Sequence, residues 1–201
     1  ASDQATRRQV AKALVNKAVT LEQLGQVDEA VSVYRQVVDS FGDSGEAGIR
    51  EQVAMALVNM GVRLGQLGQP NEAVRAYEQV VIRFGDSPRG VLRQHVAVAL
   101  VRKGTRLGQL GRQNDEIAAY EQVVVRFGDA SEVMVREQVA RAMLNMGVRL
   151  TKLGQPARAV EVYDQVVTKF GDSVEAELRE QVATARRMKA RLEGGLEGGN
   201  A

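Results

Sequence analysis

Apolar residues along this chain fall into stripes of helical spacing that come in pairs. In one stretch, Ala54, Leu57, Gly61 and Leu64 lie three or four residues apart, and Ala73, Tyr77, Val80, Val81 and Phe84 continue that spacing further on. Gly68 separates the two stripes. Pro70 fits the first turn of the second, where its missing N–H leaves no bond unmade, and Pro156 takes the same place later in the chain. The pattern predicts two helices joined by a tight turn, each with one face to bury.

The pair recurs without drift. Val10, Val53, Val96, Val139 and Val182 are 43 residues apart, and the same interval separates Gly25, Gly68, Gly111 and Gly154, then Tyr34, Tyr77, Tyr120 and Tyr163, then Phe41, Phe84, Phe127 and Phe170. Four complete units, at about 1–43, 44–86, 87–129 and 130–172, precede the opening of a fifth at 174–193. Phe-Gly-Asp at 41–43, 84–86, 127–129 and 170–172 predicts a glycine stop, and Ser44, Ser87, Ser131 and Ser173 offer N-caps after it. First helices are expected near 3–24, 45–67, 88–110, 131–153 and 174–193, and second helices near 27–41, 70–84, 113–127 and 156–170.

One hairpin cannot bury both of its stripes, so neighbours must stack into a continuous core over 1–193. Each buried Val or Leu contributes roughly 1.5–3 kcal/mol, and the sum must offset the ordering of every helix. The expected fold class is all-α: a solenoid of antiparallel helix pairs with a polar last helix as its cap, and 194–201 as a flexible Gly-rich tail.

Composition agrees with many similar small interfaces, since 44% of the 201 residues are apolar, only 4% are aromatic and Trp is absent. Absent cysteine excludes disulfides, thiolate metal sites and a Cys nucleophile. A formal charge of +2 gives nucleic acid little support. Arg7, Arg50, Arg93, Arg136 and Arg179 do recur, but Asp43, Asp86, Asp129 and Asp172 keep pace, which points to a solvated face of ion pairs rather than a phosphate-tracking stripe. His95, the only histidine, replaces a recurring Gln; it reads as a surface substitution and cannot form a histidine metal site alone. No Ser, Asp or Glu stands in a nucleophile or paired-acid context, so no enzyme, cofactor or metal is expected. No membrane span or leader is visible, and the missing initiator Met suggests a fragment or processed form; a cytoplasmic location is expected.

The run Leu57-Val58-Asn59-Met60-Gly61-Val62-Arg63-Leu64, followed by Ala73-Val74-Arg75-Ala76-Tyr77, resembles the tetratricopeptide pattern of large, small and aromatic positions, W-x2-L-G-x2-Y then A-x3-F. The resemblance extends over all four units and implies a right-handed superhelix with the first helices on its concave side. The period is longer than the usual repeat of about 34 residues, which looks like the longer-helix subtype of kinesin light chains and of sensor arrays in some signalling NTPases. In the third unit Gln113 replaces the proline and Glu116 fills the slot of Ala30, Ala73 and Ala159. A carboxylate there requires a second helix that sits apart from its partner, or a turn of Glu116 toward solvent or toward an arginine such as Arg106 or Arg112.

A protein partner is what the resemblance implies. The concave stripe would comprise Val15, Asn16 and Val19, then Val58, Asn59 and Val62, then Val101 and Arg102, then Leu144, Asn145 and Val148. Tetratricopeptide grooves often hold a ligand backbone through Asn at the place of Asn16, Asn59 and Asn145, and an amide both donates and accepts there. The alternative is that these asparagines are solvated or bond within the array and that Val15, Val58, Val101 and Leu144 pack between repeats. Lys12, Arg102, Arg141 and Lys152 border the stripe, which favours an extended or helical segment with apolar anchors and some acidic character. Val15 and Val98 stand where a chaperone-binding carboxylate clamp needs Lys, so that ligand is not expected. The rival readings are a self-assembling homo-oligomer, with Lys17 and Lys103 alternating with Met60 and Met146 as a possible register, and a sensor fragment of a larger regulatory protein.

Overall fold

A computed structural model describes residues 2–88 and 90–198. It is helical throughout its regular structure: α1 (Ser2–Gln23), α2 (Val27–Phe41), α3 (Ala47–Gln66), α4 (Pro70–Phe84), α5 (Gly90–Gln109), α6 (Gln113–Phe127), α7 (Val133–Lys152), α8 (Pro156–Phe170) and α9 (Ala176–Gly198), with no strand among the described residues. The second helices of the hairpins have the bounds the sequence predicts. Their strong apolar stripe and the turn glycine ahead of them leave little freedom. Gly25, Gly68, Gly111 and Gly154 each take a left-handed φ, between 70° and 77°, a conformation that costs a side chain but not glycine.

Four of the first helices, α3, α5, α7 and α9, begin two residues later than expected, whereas α1 already begins at Ser2. Glu46 and Glu132, in extended backbone, precede α3 and α7, and Ser44 is not the cap: its Oγ accepts from the Glu46 N–H at 3.2 Å while its own N–H bonds Phe41 O at 3.0 Å. The glycine of Phe-Gly-Asp is also not a left-handed stop. Gly42 stays right-handed at φ −56°, and its missing Cβ leaves room for the Arg83 guanidinium, 2.7 Å from where that carbon would stand. At the other end, α9 continues through Gly198 where a flexible tail is expected from 194; residues 199–201 of that tail lie outside the described residues.

The chain divides into two compact units, Ala1–Leu110 and Gly111–Ala201. In the first, each of α1 to α5 packs on the next, and α3 also touches α1 and α5. In the second, α6 to α9 pack in order and α7 also touches α9. The boundary falls between the two helices of the third 43-residue unit, a place at which the sequence period gives no sign of division.

The recurring tyrosines are the centre of each core. Tyr34, Tyr77, Tyr120 and Tyr163 are fully buried. Tyr77 lies against Gly61 so closely that a Cβ there would meet its ring at 2.6 Å, and Gly147 stands to Tyr163 in the same way at 2.5 Å. The small residue at the helix crossing therefore accommodates an aromatic ring.

Candidate interaction surface

The expected stripe divides by burial. Val15, Val58 and Val101 are buried at 1%, 7% and 4% exposure, so these three are packing residues and offer a partner no surface, a correction to their expected place in a groove. Asn16 and Arg102 are exposed; Val19, Asn59, Val62, Leu144, Asn145 and Val148 are half-buried. Lys12, Arg141 and Lys152 are exposed, and Arg141 already pairs with Glu177 of α9 at 3.0 Å.

Asn59 has a structural partner. Its Nδ2 donates to the Tyr34 hydroxyl at 3.2 Å, tying α3 to the preceding hairpin. Burial, partly opposed by this bond, pushes the Tyr34 phenol up to about 12. Tyr77, one repeat on, is raised by burial, and the Arg102, Arg106 and Arg63 guanidiniums oppose that shift. Its hydroxyl makes no aligned hydrogen bond, and the Arg106 side chain stands beside it. Tyr163 is raised by burial, moderated by the nearby Thr151 hydroxyl, which itself donates to the Gly147 carbonyl at 2.9 Å.

Beneath the stripe runs a charge pattern that the periodicity alone does not reveal. Arg63 of α3 meets Glu22 of α1 at 2.7 Å, both largely shielded from water. Arg106 and Arg149 follow Arg63 at the repeat interval, but Glu22 is followed by Gly65 and Gly108. Arg106 lies over Gly65, where a Cβ would come 2.4 Å from its guanidinium, and it donates to Gln109 at 2.7 Å. For Arg149 the carboxylate comes from another helix: Glu116 of α6 approaches its Nε at 2.6 Å and accepts from the Tyr120 hydroxyl at 3.4 Å. Glu116 is buried at 6% exposure, so it does not turn to solvent; it does turn to an arginine, but to Arg149, while Arg112 pairs locally with Asp115 at 2.7 Å. What could have signalled this pairing is Arg149 itself, one repeat beyond the departure in α6.

Other periodic charges are structural. Arg50 and Arg136 lie over the Phe84 and Phe170 rings at 5.6 and 5.9 Å, and Arg136 also reaches Glu175 at 3.0 Å and Ser173 at 2.9 Å. Asp43 and Asp129 pair with Arg83 and Lys169 at 3.6 and 3.3 Å, across to the next hairpin rather than between adjacent turns. Lys103 pairs with Glu78 of α4 at 2.9 Å and Lys189 with Asp164 of α8 at 2.6 Å, so these lysines of the Lys–Met alternation have partners within the chain. His95 is half-buried rather than a surface residue, and burial lowers its pKa. No helix among the described residues is long and apolar enough to cross a membrane.

Comparison with known proteins follows the same period. Two tetratricopeptide-repeat profiles match, one over residues 12–44 and the other over 53–84 and 139–169. No curated protein matches in sequence. Among solved structures, the Podosopora anserina putative kinesin light chain with nearly identical TPR-like repeats is 20% identical, with 94% of this chain and 92% of that one covered and a TM-score of 0.63. A tetratricopeptide repeat protein from Parabacteroides merdae is 14% identical with a TM-score of 0.62; 91% of this chain is covered, and it spans 61% of that protein's length. Pseudomonas aeruginosa pilF is 18% identical at a TM-score of 0.53, with 92% and 78% covered. The repeats of this family are in general non-catalytic scaffolds for protein–protein interaction. The unbroken 43-residue hairpin, the small-against-tyrosine crossing and the matched profiles together make this chain a member of the tetratricopeptide-repeat family.

Proposed function

We propose that this chain is a non-enzymatic interaction scaffold that holds an extended or helical segment of a partner protein along its first helices, and that acidic side chains of the segment engage α5. The observation that carries this reading is the cationic patch around Tyr77. Arg63, Arg102 and Arg106 all act on that phenol, yet only Arg63 has a carboxylate, Glu22, in an ion pair among the described residues. A partner carboxylate would complete the set, with apolar contact from the half-buried Val62 beside it. Asn16 and Asn145 are the asparagines of the stripe left to hold a ligand backbone, whereas Asn59 serves mainly to satisfy Tyr34. In this reading residues 1–193 work as one array, and the encounter takes place in the cytoplasm, which cell fractionation checks.

The test is a bead-displayed random peptide library screened with the intact protein. Enriched peptides should carry Asp or Glu next to apolar residues, and Arg102→Glu with Arg106→Glu should turn the preference toward Lys and Arg. Enrichment without charge bias, or a bias indifferent to those substitutions, would refute the reading.

A further inference from the structure

The buried tyrosines of successive repeats are surrounded by equivalent positions, and the set around Tyr77 differs from the set around Tyr34 by two charges. At Tyr34, Asn59 donates to the phenol at 3.2 Å and Glu22 neutralises Arg63 at 2.7 Å. One repeat on, Gly65, Arg102 and Arg106 stand in the places of Glu22, Asn59 and Arg63. The exchange removes a carboxylate and adds a guanidinium, so a neutral set becomes one of charge +2. For Arg149 of the second unit, Glu116 supplies the missing acid, but Ala73 stands at that position in α4. Arg102 and Arg106 form no ion pair among the described residues, and Arg106 donates to the neutral Gln109.

Two glycines of α3 bring these groups together. A Cβ on Gly61 would stand 2.8 Å from Cζ of Tyr77, the carbon that bears the hydroxyl, and a Cβ on Gly65 would stand 2.4 Å from the Arg106 guanidinium. Gly61 and Gly65 are one helical turn apart, about 6 Å along the axis, so the phenol oxygen and the guanidinium lie side by side on α3. Arg102 is one turn from Arg106 on the same face of α5. Arg102 is exposed and Arg106 half-buried, so the pair is open to solvent above a buried floor. That floor is Tyr77, at 0% exposure and with a hydroxyl that makes no aligned hydrogen bond. The upward shift of its phenol is opposed first by Arg102 and next by Arg106, as expected of two cations near one oxygen.

Like charges one turn apart repel, and a single carboxylate neutralises one of the two. A phosphomonoester carries a charge of about −1.5 to −2 at neutral pH and presents three acceptor oxygens, enough to meet the planar fork of each guanidinium. A phosphodiester carries a single charge, so a nucleic-acid backbone matches the pair less well. We infer that Arg102 and Arg106, above Tyr77, form a phosphomonoester site, and that the partner segment is phosphorylated on the Ser, Thr or Tyr that meets α5. The inference rests on the proposed function, because the phosphate is carried by the same segment. Arg102 sets the ligand class: the Asn found at its place in the other repeats has no charge to offer the second half of the dianion.

The experiment screens the full chain against three bead libraries of random peptides that differ only in a fixed central residue: phosphoserine, aspartate or serine. The phosphoserine pool should be retained about tenfold more than the aspartate pool, and the serine pool least. Arg102→Asn, an exposed change to the residue of the neighbouring repeats and checked for folding by circular dichroism, should remove the preference for phosphoserine over aspartate. Free O-phosphoserine should displace the retained pool, and diethyl phosphate at the same concentration should not. Equal retention of the phosphoserine and aspartate pools, both above serine, would overturn the inference and leave the acidic-segment reading standing. Equal retention of all three pools would remove both. A phosphoserine preference that survives Arg102→Asn would overturn the inference by placing the phosphate elsewhere, and displacement by the diester as effective as by O-phosphoserine would overturn it by showing that the second charge is not read.

Discussion

Arg63 in the first compact unit and Arg149 in the second compact unit occupy the same place in their repeats and meet the same need from different directions. Glu22 reaches Arg63 from the neighbouring first helix, and Glu116 reaches Arg149 from the neighbouring second helix. A half-buried guanidinium near a hairpin crossing is stable when some nearby carboxylate neutralises it, and the fold has more than one position from which that carboxylate can come. Glu116 is therefore not a defect of the third repeat. Its desolvation is offset by a charge contact and by the Tyr120 hydroxyl, whereas an unpaired carboxylate in that place would be too costly to keep.

The strongest way to break the comparison is to remove the arginine that Glu116 depends on. Arg149→Ala should destabilise the protein by about 3–5 kcal/mol in urea unfolding, because it leaves a buried carboxylate with one long hydrogen bond. Glu116→Ala should cost less, about 1–3 kcal/mol, since it restores the residue found at Ala30, Ala73 and Ala159 and leaves Arg149 without a carboxylate, as Arg106 already is. Equality of those two losses would show that the burial of Glu116 is not what makes the pair sensitive.

A transplant sharpens it further. Glu22→Ala should cost about 1 kcal/mol, and adding Ala30→Glu should return most of it, because that second change rebuilds in the first unit the arrangement Glu116 and Arg149 have in the second. No recovery in thermal unfolding would mean that the two geometries are not interchangeable.

The smallest effect distinguishes the units by pH. His95, on α5 of the first unit, is held by burial below its ordinary 6.5, so the unfolded chain binds the proton more readily than the folded one. Its contribution to stability is present above that value and declines as pH falls through and below it. His95→Gln, the residue at the matching places of the other repeats, should flatten the decline between pH 7 and 5 in urea midpoints. An identical slope in the variant would remove His95 as its source.

Much of this was legible in the residues because helical periodicity and glycine turns are local properties. The stripes of α2, α4, α6 and α8 fix those helices to the residue, and the resemblance in the second unit led to the right family. The starts of α3, α5, α7 and α9 were read two residues too early because a serine at cap spacing looks like a cap whether or not the chain has turned by then. Helix continuing through Gly198 shows the reverse error, with composition read as a loop.

The sequence by itself determined the repeat length, which follows from recurrence at a fixed interval, and the hairpin, which follows from spacing within a single unit; that Gly61 and Gly147 meet a tyrosine ring came from the structure. Tertiary structure alone decided which of the stripe residues are free. Val15, Val58 and Val101 share their helices with more exposed residues, and spacing along the helix does not tell which of them the stack buries. It also decided that Asn59 serves Tyr34 and that Glu116 serves Arg149. These pairings join residues from different repeats, and a carboxylate's partner depends on which side chains the stack brings within a few ångströms, a distance that spacing along one helix does not contain.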